Sequence, residues 1–266
     1  MSIKDLSEKE FFFGHRACAG CGGALAVRIA LKVLGERAVS IIPAGCMSAV
    51  GFNYPNMAFR NNAFITPFAA TASVMTGVEA GLRRRGEKDF TVVGFAGDGG
   101  TADIGLQALS GAIDRGDNIL YICYDNEAYM NTGIQKSGLT PLAAKTTTTP
   151  IVGSKRAKKD ILSIVAANGV SYAASATVGE LSDYIKKLEK AKEKTGVRFL
   201  HVLAPCPVGW GFPSSDTVEI AKQAVSSGIF PLREFENGEW VKDFKVTKPQ
   251  EADEYYKRQS RFIKKN

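Results

Sequence analysis

Two periods of apolar and polar residues alternate along this chain. Short runs rich in β-branched and aromatic residues at 38–43, 90–96, 118–125, 170–176 and 197–204 predict buried strands. Between them, residues spaced for one apolar helix face occupy 25–35, 68–85, 101–115, 158–168 and 179–194. Gly35, Gly86 and Gly116 follow the first three helices, where a residue free to take positive φ ends a helix with little steric cost. Strands and helices alternating at this interval predict an α/β fold, a parallel sheet with helices on both faces. The segment 126–157 has no clear period and is too long for an idle connection, so a binding loop or lid is expected there. After Cys206 the pattern weakens to a helix near 216–227 and a charged final helix. The expected organisation is an N-terminal segment 1–24, an α/β domain 25–204, and a C-terminal extension 205–266 that lies on a partner as an arm.

Ligands of such sheets bind beyond the carboxyl ends of the strands. The unusual residues of this chain fall at those ends: Cys46 after the first strand, Asp98 after the next, Asn126 after the third and Cys206 after the last. Four strand ends facing one crevice would gather the cysteines and the acidic loop.

Composition alters this picture little. The chain has 266 residues, 45% hydrophobic and 23% charged, as ordinary globular proteins do. No stretch approaches the roughly 20 uncharged apolar residues of a membrane span, and the polar start at 1–8 lacks the apolar core of a signal peptide. A cytoplasmic protein without a membrane partner is expected. The net charge of +7 comes partly from basic runs at 83–85, 155–159 and 258–265, which read as solvated surface or as attraction for acidic partners. No nucleic-acid-binding signature accompanies them, so no nucleic acid is expected as a partner.

Five cysteines stand at 18, 21, 46, 123 and 206, and an odd number without a secretory signal argues against a disulfide framework. Cys123 lies within an apolar run and reads as a buried strand residue. The other four neighbour Gly or Pro in loop-like segments. The Cys18-x-x-Cys21 pair alone is compatible with redox, zinc or iron–sulfur chemistry. One pair plus two distant singles fits a [4Fe-4S] cluster better than zinc, which favours two close pairs, and zinc stays open on spacing alone.

Gly97-Asp98-Gly99-Gly100-Thr101 falls between a strand and a helix. Glycines let a backbone approach phosphate closely, whereas a carboxylate beside bare phosphate is repelled. Asp98 makes sense there if Mg²⁺ bridges it to phosphate; otherwise the motif is a tight turn with a capping Asp. Further on comes Asp125-Asn126-Glu127-Ala128-Tyr129-Met130-Asn131-Thr132-Gly133.

These two halves resemble the signature of thiamine-diphosphate enzymes, Gly-Asp-Gly followed by a helix, a strand and Asn. The resemblance implies a Mg²⁺ held by Asp98, Asn126 and the carbonyl of Ala128. It sharpens with Gly14-His15-Arg16-Ala17-Cys18-Ala19-Gly20-Cys21-Gly22, Gly45-Cys46, the four threonines at 146–149 before Pro150, and Leu203-Ala204-Pro205-Cys206-Pro207-Val208-Gly209-Trp210-Gly211-Phe212. Together these are similar to the β subunit of pyruvate:ferredoxin oxidoreductases over about 14–235. The resemblance implies the thiamine-diphosphate-binding fold, one [4Fe-4S] cluster on Cys18, Cys21, Cys46 and Cys206, and Asn131 as an active-site residue. The remaining cofactor contacts would come from Gly97, Gly99, Gly100, Thr101, Tyr129, Thr132 and Cys46.

The implied reaction is oxidative decarboxylation of a 2-oxoacid, pyruvate first, with coenzyme A to acyl-CoA and CO2, its electrons passing to ferredoxin. The implied partners are alpha and gamma/delta subunits, one of which supplies the Glu that activates the aminopyrimidine, so this chain is expected to be inactive alone. Between Cys46 and Thr71 the chain departs from the pyruvate type: Ser48 stands where an acidic residue is common, and a Trp-containing segment is replaced by 61–70. The apolar residues Met47, Phe52, Met57, Phe59, Phe64 and Phe68 could line a pocket for a larger substrate such as phenylglyoxylate or a branched-chain oxoacid, or pack on a partner; oxalate is a further candidate. A zinc-stabilised, non-catalytic partner-binding protein is the alternative of another class. His201 reads as a satisfied core residue, and His15 as a neighbour of the first cysteine facing cofactor or cluster.

Overall fold

The computed structural model describes residues 6–243 and 246–262. The first residues of the polar start and the last four, part of the basic run 258–265, lie outside the described residues. Ten strands follow in chain order: β1 (Ala38–Pro43), β2 (Phe52–Asn53), β3 (Asn56–Met57), β4 (Asn62–Thr66), β5 (Thr91–Gly97), β6 (Ile119–Asp125), β7 (Tyr172–Thr177), β8 (Arg198–Leu203), β9 (Arg233–Glu236) and β10 (Glu239–Asp243). The helices are α1 (Gly22–Leu34), α2 (Cys46–Gly51), α3 (Thr71–Arg84), α4 (Asp98–Ala102), α5 (Leu106–Asp114), α6 (Ile161–Ala167), α7 (Leu181–Glu193), α8 (Pro207–Trp210), α9 (Thr217–Ser226) and α10 (Ala252–Lys257). All but β2 and β3 join one sheet, ordered β10-β9-β7-β8-β6-β5-β1-β4. From β7 to β4 the strands are parallel; β9 runs antiparallel to β7, and β10 to β9.

The expected parallel α/β sheet is therefore present. Its central strand β6 is buried along its whole length. Leu120, Ile122 and Tyr124 face the core under α1 and α7, while Ile119, Tyr121 and Cys123 face the core under α3, α5 and α6. This strict alternation puts Cys123 wholly inside, as its apolar surroundings predict. Among the described residues no helix is long and apolar enough to cross a membrane.

Three features differ from the expected elements. The helix expected over 101–115 is two helices, because Gly105 passes the Gly100 carbonyl so closely that a Cβ would stand 2.0 Å from its oxygen. The stretch after Cys46 is not an open pocket wall: it forms α2, the β2–β3 hairpin and the edge strand β4, which pairs with β1. Finally, the chain beyond residue 204 rejoins the sheet through β9 and β10, and α9 supplies Ile220, Ala224 and Val225 to a third core cluster around Trp210.

Candidate cofactor site

A cavity of about 330 Å³ lies beyond the carboxyl ends of β1, β5 and β6. Its wall includes Gly45 and Cys46 after β1, Gly97, Asp98, Gly99 and Gly100 after β5, and Asn126, Ala128, Tyr129, Met130, Asn131 and Thr132 after β6. Asp98 is fully buried and accepts the hydroxyl of Ser137. Burial, and then the Asp125 carboxylate, push its carboxyl well above the ordinary range. The Asn126 amide meets two acceptors: turned inward, its NH₂ donates to Asp98 Oδ1 (3.0 Å) and to the Ala128 carbonyl (2.8 Å). With the amide oxygen turned inward, three oxygens face one another at these separations with no hydrogen between them. An octahedral Mg²⁺ with ligands at 2.0–2.1 Å separates neighbouring oxygens by about 2.9 Å, so this donor set fits such a cation.

The glycines of the loop allow close passage. A Cβ on Gly99 would lie 2.2 Å from the Tyr129 ring, and one on Gly100 would lie 3.1 Å from Phe68. Tyr129 is fixed by donating its hydroxyl to Asp103 (2.8 Å), which also accepts from Gly138 N (2.9 Å) and Lys159 Nζ (2.7 Å). Thus the helix break after α4 and the long loop are tied together at the cavity wall. Thr101 is turned away from the cavity, donating to the Gly97 carbonyl (2.8 Å) beneath the loop. Thr132 and Asn131 stand at the exposed rim.

Of the four loop cysteines, all free thiols, Cys46 lines this cavity, Cys21 and Cys206 are half-buried and Cys18 is exposed. Cys21 caps α1, accepting from Ala24 N (3.4 Å), and Cys206 caps α8, accepting from Gly209 N (3.4 Å). Cys46 is the first residue of α2. Gly22 N donates to the Pro205 carbonyl (3.1 Å), which brings the Cys-x-x-Cys segment against the last cysteine. The Cys46 thiol is pushed up to about 12, first by burial and then by the negative charge of Cys21, Cys206, Asp98 and Cys18; burial raises Cys21 and Cys206 as well. Among the described residues no three Cys, His, Asp or Glu side chains stand ready to hold a single metal ion.

Other expected residues fall elsewhere. His201 is a satisfied core residue, its Nε2 2.7 Å from Asp125 Oδ2. His15 stacks on Phe12 with ring centres 4.8 Å apart and accepts from Ala17 N (3.3 Å), outside the cavity wall. Of the apolar residues from 47 to 68, only Phe68 borders the cavity. Met47 and Phe59 belong to the core, whereas Met57 and Phe64 are exposed. The basic run 155–159 is not uniformly solvated surface: Lys158 bridges Asp125 (3.0 Å) and Glu127 (2.8 Å), which raises its ammonium pKa. Ser137 and Tyr124, both at the site, carry no sequence signal of their own.

The thiamine pyrophosphate enzyme, C-terminal TPP binding domain, matches residues 43–202. Pyruvate synthase subunit PorB of Methanothermobacter thermautotrophicus is 47% identical, covering 97% of this chain and 91% of the relative. Ketoisovalerate oxidoreductase subunit VorB of Pyrococcus horikoshii is also 47% identical, covering 96% and 86%. A solved 2-oxoglutarate:ferredoxin oxidoreductase from Magnetococcus marinus superposes with TM-score 0.64 and 25% identity, over 82% of this chain and 72% of that one. With a matching domain centred on the cavity and close relatives along nearly the whole length, the chain belongs to the thiamine pyrophosphate enzymes, in the family of the PorB and VorB oxidoreductase subunits.

Proposed function

We propose that this chain is the subunit of a 2-oxoacid:ferredoxin oxidoreductase that binds thiamine diphosphate, Mg²⁺ and one [4Fe-4S] cluster, in a cytoplasmic complex with alpha and gamma/delta subunits. The observation that carries this reading is the convergence of Asp98, Asn126 and the Ala128 carbonyl at the carboxyl ends of β5 and β6. A buried carboxylate beside the Asn126 and Ala128 oxygens is costly without a counter-ion, and a cation shared with a diphosphate would neutralise both. Thiamine diphosphate, when bound, supplies the carbon nucleophile and electron sink for decarboxylation of the oxoacid.

The chain's own residues position and insulate. Gly99 and Gly100 would let the backbone approach a diphosphate, Tyr129 packs on Gly99 with its hydroxyl locked to Asp103, and Asn131 and Thr132 stand at the exposed rim, where substrate would enter. Cys18, Cys21, Cys46 and Cys206 would take one iron each. Cys21, Cys46 and Cys206 stand at helix starts and Cys18 in the exposed loop before α1, and one Cys-x-x-Cys pair with two distant single cysteines suits a four-iron cluster. Cys46 also lines the cavity, so a cluster there would adjoin the cofactor and pass electrons toward ferredoxin. Coenzyme A completes the proposed reaction as acyl acceptor.

Pyruvate is the first substrate reading. A second, 2-oxoisovalerate, is favoured by the equal identity to PorB and VorB relatives. The test is the purified complex: bound thiamine diphosphate, iron with acid-labile sulfide, and CoA-dependent reduction of ferredoxin by these oxoacids support the proposal. Zinc in place of iron, with no thiamine diphosphate retained, would refute it.

A further inference from the structure

Between the two loop oxygens that face Asp98 stands Glu127, whose φ is +65°. Side chains with a Cβ seldom take this left-handed conformation. Here it is what points both the Asn126 amide and the Ala128 carbonyl toward Asp98. The turn is held from every side. Glu127 N donates to Asp125 Oδ1 (2.9 Å), and its carbonyl accepts from Thr140 Oγ1 (2.8 Å). The preceding carbonyl, of Asn126, accepts from the Trp210 indole N–H (2.7 Å).

The Glu127 side chain is buried but does not line the cofactor cavity. It turns toward a second, smaller cavity lined in part by Phe230 and Tyr255. There it is gripped by Lys158 (2.8 Å) and, on its other oxygen, by Arg261 (2.6 Å). Arg261 in turn lies over the Trp210 ring at 3.7 Å from its centre. A residue from the far end of the chain, a loop lysine and a helix capped by Cys206 thus all close on one peptide.

We propose that Glu127, clamped by Lys158 and Arg261, is a positioning residue for the cation: it holds the left-handed turn that aligns Asn126 and Ala128 with Asp98. This inference rests on the Mg²⁺ reading above. A buried Arg261 and a half-buried Lys158 on one buried carboxylate anchor the side chain, because a buried charge left unpaired costs more than the pair gains. Without the anchor the turn relaxes toward right-handed φ, and the two oxygens no longer face the same point.

The test uses the assembled complex and reads the Mg²⁺ concentration needed for half-maximal thiamine diphosphate binding, by equilibrium dialysis. Glu127→Ala and Glu127→Gly remove the same two ion pairs, but only glycine takes positive φ freely. Glu127→Ala is expected to raise the Mg²⁺ requirement roughly tenfold, the ratio that matches the left-handed penalty. Glu127→Gly should return most of the way to the parent, and Arg261→Met should raise the requirement several-fold. A purely structural ion pair would make glycine no better than alanine, and that result overturns the proposal; so does an unchanged requirement in Arg261→Met. Asp98→Asn runs alongside: if it too leaves binding unchanged, the cation reading itself has failed, and not the clamp alone.

Discussion

A carboxyl that is fully buried and hydrogen-bonded by one serine carries its charge only if something positive joins it. That condition makes Asp98 and Asn126 unequal. Asp98→Asn removes the one formal charge at the proposed metal, whereas Asn126→Ala removes a neutral oxygen. Both should lower thiamine diphosphate occupancy of the assembled complex, Asp98→Asn by about 100-fold or more in affinity and Asn126→Ala by about tenfold or more, since loss of even an outer-shell partner of a metal costs about 10–100-fold. Equal occupancy in wild type and Asp98→Asn, read by cofactor release and quantitation, would falsify the bridging cation. The cysteines divide in the same way. Cys46→Ser and Cys206→Ser should lower iron and sulfide content, while Cys123→Ser, in the middle of buried β6, should spare it. The places of Asp98, Asn126, Cys46 and Cys206 beyond strand ends were legible in the sequence, because each follows a run patterned as a buried strand. Ser137, Tyr124 and Lys158 were not. Their roles come from where a loop or strand carries them, and Lys158 inside a basic run looks like surface until Asp125 and Glu127 are seen beside it.

Elements obeyed periodicity where they are buried on one side of a sheet, and departed from it where backbones pass closely. The helix expected over 101–115 breaks because Gly105 lies against the Gly100 carbonyl, a contact no hydrophobic pattern encodes. Gly105→Ala puts its Cβ 2.0 Å from backbone oxygen, while Gly209→Ala puts one 2.2 Å from the Met130 sulfur, the end of a flexible side chain. Methionine can swing aside; the loop that carries Asp98 cannot. Gly105→Ala should therefore destabilise by more than the roughly 1–3 kcal/mol of ordinary overpacking and Gly209→Ala by less, as a comparison of thermal midpoints would register. Comparable midpoints would contradict the close backbone passage. The edge strand β4 escaped detection because Phe64 and Ile65 are exposed and only Thr66 is fully buried, so no alternation appears. The β9–β10 hairpin did leave a sign: Asn237-Gly238, at φ 54° and 87°, is the preferred pair for a two-residue turn. Its flanking charged residues masked the strands.

At the scale of the molecule, the parallel strands open their carboxyl ends to one side, and Asp98 is the only carboxylate lining the cavity there among the described residues. If a metal takes it, no other carboxylate among the described residues lines the wall to activate an aminopyrimidine. The isolated chain should accordingly show no 2-oxoacid decarboxylation, and adding the alpha and gamma/delta subunits should restore it; turnover by the chain alone would sink that division of labour. Substrate choice can be argued one step further. Met47 and Phe59 serve the core, Met57 and Phe64 face outward, and Phe68 alone of this group touches the cavity, packed near Tyr129 with ring centres 5.9 Å apart. This stretch therefore brings Phe68 alone of the six to the cavity. If Phe68 limits the space, Phe68→Ala should shift the ratio of kcat/KM for 2-oxoisovalerate over pyruvate upward by about fourfold per CH₂ accommodated, from about 0.8 kcal/mol each. Phe64→Ala should leave that ratio where it was. A shift from Phe64→Ala and none from Phe68→Ala would move the specificity wall to the outer face of β4, where only a partner subunit could complete it.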